Sequence, residues 1–145
     1  MNFEDLQNAW DSDSKIDSTN IGQESIRTAQ LHAKYIKLYS AEKMKLLKFQ
    51  HNYKLLRAQK KEFFINPTKE IMQEKQWKIP DRGKILKSEI ESFLDYDTEL
   101  LELELKIGVQ QEKVEYLKMI LQSINGRTFA IKNFIEERKW LAGVW

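Results

Sequence analysis

The feature that most restricts this chain is a spacing. Phe93, Tyr96, Leu100, Leu103, Ile107, Gln110, Val114, Leu117, Leu121 and Ile124 follow one another in alternating steps of three and four. Such steps keep one stripe on a helix, and sustained over heptads they describe a coiled-coil seam. Only Gln110 among these is neither apolar nor aromatic. A lone polar residue in a seam fixes register and oligomeric state at some cost in stability. Leu94, Leu101, Leu105, Val109, Tyr116 and Ile120 form a second stripe that widens the apolar arc. An arc that wide calls for more than one neighbour, so a bundle or ring is expected rather than a two-stranded coil.

The remainder of the sequence is helical in the same sense. Five glycines and two prolines in 145 residues leave little punctuation, so elements are long. A short N-terminal helix is expected over Phe3 to Trp10, followed by a polar turn through Asp11, Ser12, Asp13 and Ser14. Asp17, Ser18 and Thr19 offer caps for a helix from about Asn20 to Ile65, ended by Asn66-Pro67. Tyr35, Tyr39, Leu46, Phe49, Tyr53, Leu56 and Phe63 form its apolar stripe, which Glu42 and Lys60 interrupt. Thr68 to Lys75 reads as a short helix, and Trp77 to Pro80 as an extended stretch into an Asp81-Arg82-Gly83 turn.

A second long helix is expected from Lys84 or Ser88 to Ser123, closed by Asn125-Gly126. A last helix follows from Thr128 to about Leu141, with Phe129, Phe134, Ile135 and Leu141 as its apolar side. Trp140 and Trp145 give an exposed aromatic C-terminus. The fold class is all-α: an N-terminal head over residues 1–83 carrying a basic helix, and coiled-coil-like helices over 84–145 that assemble into a ring-shaped homo-oligomer. Phe93, Leu100, Leu103, Ile107, Gln110, Val114, Leu117 and Leu121 are the expected oligomerisation residues.

Charge is divided along the chain. Residues 1–26 hold one basic residue against six acidic ones, residues 27–87 hold 16 against five, and residues 88–145 hold seven against eleven. A middle segment at +11 between acidic flanks attracts polyanions. A solvated helix face ordinarily mixes both signs, and this one does not.

Enzyme signatures are missing. No phosphate-binding loop, dinucleotide-binding glycine pattern or metalloprotease motif occurs, and there is no cysteine. His32 and His51 lie 19 residues apart on the lysine-rich helix, too far to share a site within one subunit. Glu99, Glu102 and Glu104 flank the seam as solubilising or inter-helix charges. No catalytic residue, metal or cofactor is expected. Neither a secretory signal nor an apolar run near the roughly 20 residues of a membrane span is present, so a soluble cytosolic protein is expected.

The informative cluster is basic and aromatic: Phe49, Tyr53, Lys54, Arg57, Lys60, Lys61, Phe63 and Phe64. Single strands are held by cations along the phosphates and by aromatic rings on which bases stack. Phe49, Tyr53 and Phe63 fall on the packing stripe, whereas Phe64 lies beside it and suits stacking. Lys54, Arg57, Lys60 and Lys61, with Lys43 and Lys48 further up the helix, are the expected phosphate contacts. The same helix could instead lie on an anionic membrane, but Glu42 and Lys60 break its apolar face and the seam implies a protein neighbour. A structural coiled-coil scaffold that binds no nucleic acid is the competing class.

Short stretches spread over nearly the whole chain resemble the UvsY recombination mediators of T-even-like phages. Phe3-Glu4-Asp5-Leu6-Gln7 is similar to the family's Leu-Glu-Asp-Leu-Gln, and Ile16-Asp17-Ser18-Thr19 to its Ile-Asp-Ser-Thr. Leu38-Tyr39-Ser40, Lys87-Ser88-Glu89-Ile90 and Asp97-Thr98 have counterparts in the same order. Gly126 to Lys132 resembles an Arg-Gly-Phe-Ala-Ile-Lys segment. The resemblance implies single-stranded DNA binding and assembly into a homo-hexamer or homo-heptamer. It also implies contacts with a phage recombinase and a phage single-strand-binding protein, in the cytoplasm of the infected host, with no membrane partner. The family's motif of Lys-Ala-Arg-Leu, an acidic residue and two tyrosines corresponds to Arg57-Ala58-Gln59-Lys60-Lys61-Glu62-Phe63-Phe64, with Lys60 standing in for a displaced arginine. The interval from Asp97 to Phe129 is about two helical turns longer than the family pattern.

Overall fold

A computed structural model describes residues 1–144, and every regular element among them is helical. In chain order these are α1 (Phe3–Asp13), α2 (Ile21–Ile65), α3 (Lys69–Lys75), a 3-10 turn (Lys87–Glu89), α4 (Ile90–Asp95) and α5 (Thr98–Leu141). Trp145 lies outside the described residues, while Trp140 is exposed. The chain divides into two compact units. One combines residues 1–43 with the chain from Glu112 onward, and the other is Met44–Gln111. The sequence boundary at 83/84 falls inside the second unit.

In the first unit, Leu6 of α1, Leu31 and Tyr35 of α2, and Leu117, Ile120 and Ile124 of α5 form a buried cluster. Trp10 meets Tyr35 edge-on at 5.4 Å between ring centres, and Phe3 meets Tyr116 at 5.3 Å. Asn2 caps α1 by accepting from the Asp5 amide at 2.7 Å. The expected polar turn after Trp10 does not form. The helix continues to Asp13, whose carboxylate accepts from Lys34 Nζ at 2.6 Å and Tyr35 Oη at 2.7 Å. These long-range partners satisfy the side chain, so it does not compete with the backbone for a turn.

Gly126 does not end a helix either. It lies inside α5, where the neighbouring residues hold the chain in place. Arg127 donates to Glu24 Oε2 at 2.5 Å, to the Ser14 carbonyl at 3.2 Å and to Thr28 Oγ1 at 3.3 Å, and Ile124 and Ile131 are buried on either side. A helical glycine is disfavoured by about 1 kcal/mol, which a buried charged hydrogen-bond cluster outweighs.

The second unit closes around Phe63 and Phe64 of α2, Ile85, Ile90 and Leu94 around α4, and Leu100 of α5. Thr68 caps α3 by accepting from the Ile71 amide, and Gly83 takes the positive φ of the turn that follows Pro80. The expected continuous helix from residue 84 or 88 is broken at Tyr96-Asp97. There Asp97 Oδ2 accepts from the Leu100 amide at 3.1 Å, which starts α5 afresh.

The heptad stripe on α5 is used differently from the sequence expectation. Leu100, Gln110, Val114 and Leu117 are buried within the chain itself, and Phe93, Leu103, Ile107 and Leu121 are half-buried. Much of the stripe assigned to contacts between subunits therefore packs the chain's own helices. Leu101, Leu105 and Val109 of the second stripe stay exposed.

Glu42 and Lys60, the two charged interruptions of the α2 stripe, are buried, and each is paired. Lys113 Nζ lies 3.3 Å from Glu42 and also reaches the Met1 carbonyl. Lys60 Nζ lies 2.7 Å from Asp97 Oδ1 and 3.2 Å from Glu99 Oε1. Buried charges persist in this way only when paired and hydrogen-bonded.

Candidate nucleic-acid interface

Lys54, Arg57 and Lys61 sit at i, i+3 and i+7 on α2, a spacing that aligns them on one flank of the helix. Lys54 is exposed and has no partner among the described residues. Arg57 Nη2 donates to Glu91 Oε2 at 2.5 Å, and Lys61 Nζ lies 3.3 Å from the other oxygen of the same carboxylate. The hydrogen bond from Arg57, reinforced by Lys61, holds the Glu91 carboxyl below its usual range, and the same contact raises the Arg57 guanidinium. Glu91 remains largely exposed on α4. A carboxylate that draws two cations together makes charge-assisted contacts of the kind a phosphate oxygen can also accept.

The other expected contacts are distributed differently. Lys48 is exposed on α2 without a partner among the described residues, but it does not share the flank of Lys54, Arg57 and Lys61. Lys43 belongs to the first unit, with Nζ 3.5 Å from Tyr39 Oη and 5.5 Å from its ring centre. Lys60 is only 4% exposed and is engaged by Asp97, Glu99 and the Trp77 ring, 5.0 Å from Nζ. Phe64 is 6% exposed and packs beside Phe63 and Phe93, so it offers no face to a base. Both are corrections to the sequence reading, with one cause: the core of the second unit covers that side of α2.

Phe49, Tyr53 and Phe63 do pack, with the Lys106 ammonium 4.4 Å over the Phe49 ring. The free aromatic of this unit is Tyr96, 82% exposed where α4 ends. Heptad spacing places it in the seam, but it lies at the helix break between α4 and α5 and is exposed. Asp97-Thr98, a capping pair, was the signal for that break.

The charge picture also changes on folding. Met44–Gln111 contains 13 basic and 11 acidic residues, because the acids of 89–104 join the lysines of α2 in one unit. Segregation along the chain is thus largely compensated in space. What survives is the local flank, with Glu91 as its resident anion. Among the described residues no cluster of His, Cys, Asp or Glu could hold a metal ion, and no helix is long and apolar enough to cross a membrane.

A family model described as "Recombination, repair and ssDNA binding protein UvsY" matches residues 9–144. This chain belongs to the UvsY family. Crystal structures of the bacteriophage T4 recombination mediator protein UvsY share its fold. One superposes with a TM-score of 0.80 at 22% identity, covering 98% of each chain. Another superposes with a TM-score of 0.77 at 21% identity, covering 97% of this chain and 98% of the other. A search of curated proteins returns no match. The all-α architecture and a recombination, repair and single-stranded-DNA-binding role follow from UvsY membership.

Proposed function

We propose that this UvsY-family chain is a recombination mediator. It binds single-stranded DNA and helps a phage recombinase take the place of a single-strand-binding protein, without catalysing a reaction itself. It acts as a ring-shaped homo-oligomer, a hexamer or heptamer, in the cytoplasm of the infected host. The observation that carries the DNA reading is the flank of Lys54, Arg57 and Lys61, whose spacing follows one side of a helix. Phosphates displace Glu91 from Arg57 and Lys61, and Tyr96 offers an exposed ring on which a base can stack. Ring assembly multiplies such weak contacts through effective concentration.

Strand exchange tests the mediator role. A phage recombinase is added to single-stranded DNA already coated with single-strand-binding protein, with or without this chain. The chain is expected to shorten the lag before recombinase filaments form. An unchanged lag, together with no binding to the bare strand, would leave a structural scaffold as the reading.

A further inference from the structure

The second unit carries two apolar faces that the fold leaves uncovered, and the charges beside them are opposite. On α2, Met44, Leu47 and Leu55 are 57%, 53% and 50% exposed. They stand at i, i+3 and i+11, with His51 at i+7, and so form one stripe. Lys48 and Lys54 border it, exposed and without partners among the described residues. On α5, Leu101, Leu105 and Val109 stand at i, i+4 and i+8 and are 46%, 71% and 58% exposed. Glu102 and Glu104 border this second stripe, exposed and also without partners among the described residues.

Exposed apolar stripes with charged borders mark surfaces of association. Neither stripe suits itself. Two α2 faces would set lysine against lysine, two α5 faces glutamate against glutamate, and like charges brought together in an interface are repelled. An α2 face on an α5 face buries both stripes and pairs Lys48 and Lys54 with Glu102 and Glu104, as bordering charges do in helical seams. One chain carries both halves, so the occupant that fits each face is a second copy of this chain. We infer that the α2 face of one copy seats on the α5 face of the next. Such a head-to-tail contact leaves an open face on every copy until the rotation closes into a ring.

This inference rests on the self-assembly part of the reading above, and because Lys54 also stands on the flank assigned to DNA, assembly is read without DNA. Light scattering without DNA tests it on the full chain, with circular dichroism confirming helical content. Two double variants, Lys48→Glu with Lys54→Glu and Glu102→Lys with Glu104→Lys, each set like charges across the contact. Each is expected to fall from the wild-type mass towards that of a monomer. The quadruple variant restores opposite charges with the signs exchanged and is expected to recover the assembly. Double variants that keep the mass of an assembled wild type would overturn the pairing of these faces while leaving assembly intact. So would a quadruple variant that stays as dissociated as the doubles. A monomeric wild type would remove both the assembly and this inference.

Discussion

Lys60 Nζ sits 2.7 Å from Asp97 Oδ1, and the other oxygen of that carboxylate caps α5 by accepting from the Leu100 amide at 3.1 Å. One aspartate thus both starts α5 and neutralises a lysine buried on α2. Removing one partner of such a pair leaves a buried charge uncompensated. Lys60→Ala is expected to destabilise the protein by about 3–5 kcal/mol, measured by denaturant titration. Lys60→Met keeps the packing volume but leaves Asp97 without its cation, and should fall between the wild type and Lys60→Ala. If Lys60→Ala unfolds at the wild-type denaturant midpoint, the buried pair has no structural weight.

Glu91 competes with phosphate for Arg57 and Lys61. Glu91→Gln should therefore raise the affinity for a single strand by about two- to five-fold, the range expected of weak exposed ion pairs. Lowering the pH acts in the same direction. The Arg57 contact, then Lys61, depresses the Glu91 carboxyl, so its proton arrives only below the ordinary glutamate range. Protonation frees both cations, and strand affinity rises as pH falls through that point. Affinity in the Glu91→Gln variant should lack this acid-side rise. Isothermal titration at several pH values reads both effects.

Stability has its own acid limit. Burial alone would raise the Glu24 and Asp13 carboxyls. Hydrogen bonds from Arg127 to Glu24, and from Lys34 and Tyr35 to Asp13, outweigh it, and both are held below their usual range. Their contribution is fully present above the unfolded-state values near pH 4 and is lost as pH falls through the depressed folded values. The melting temperature should decline only in acid, and Arg127→Met should lower it at neutral pH as well. A flat melting temperature between about pH 5 and pH 2 would contradict this assignment.

Gly126 decides between two readings of the C-terminal region. A glycine closing a helix sits at positive φ, where alanine is strained. Gly126 instead lies within α5, without positive φ, and a Cβ there would meet nothing within 4 Å. Gly126→Ala should therefore stabilise the protein by up to about 1 kcal/mol, seen as a higher denaturant midpoint. Destabilisation would return the chain to a helix break at Asn125-Gly126.

These cases show which features periodicity makes legible. Long helices, the α2 stripe and its termination at Asn66-Pro67 follow from apolar spacing and proline sterics, and the structure has them. Spacing says that a stripe is buried but not by what. The seam through Leu100, Val114 and Leu117 has the signature of an interface between chains, yet α1 and α2 of the same chain cover most of it. Sequence alone makes Lys60 a phosphate contact and Phe64 a stacking ring because local spacing cannot show the segment around α4 folding back over them. The positions that broke local rules, Asp13 and Gly126, are those where long-range ion pairs outweigh local preference. Glu91 was unreadable as a partner because it lies 34 residues from Arg57.

The proposed DNA contact stands most directly on the flank of Lys54, Arg57 and Lys61. Fluorescence anisotropy with a labelled single-stranded oligonucleotide, titrated at several salt concentrations, measures it. Wild-type affinity should fall linearly with salt on logarithmic axes. The Lys54→Ala, Arg57→Ala, Lys61→Ala triple variant should bind more weakly, with a slope flatter by about 0.7 units per lost contact. A triple variant that keeps the wild-type affinity and slope would place the strand elsewhere on the protein and contradict the account.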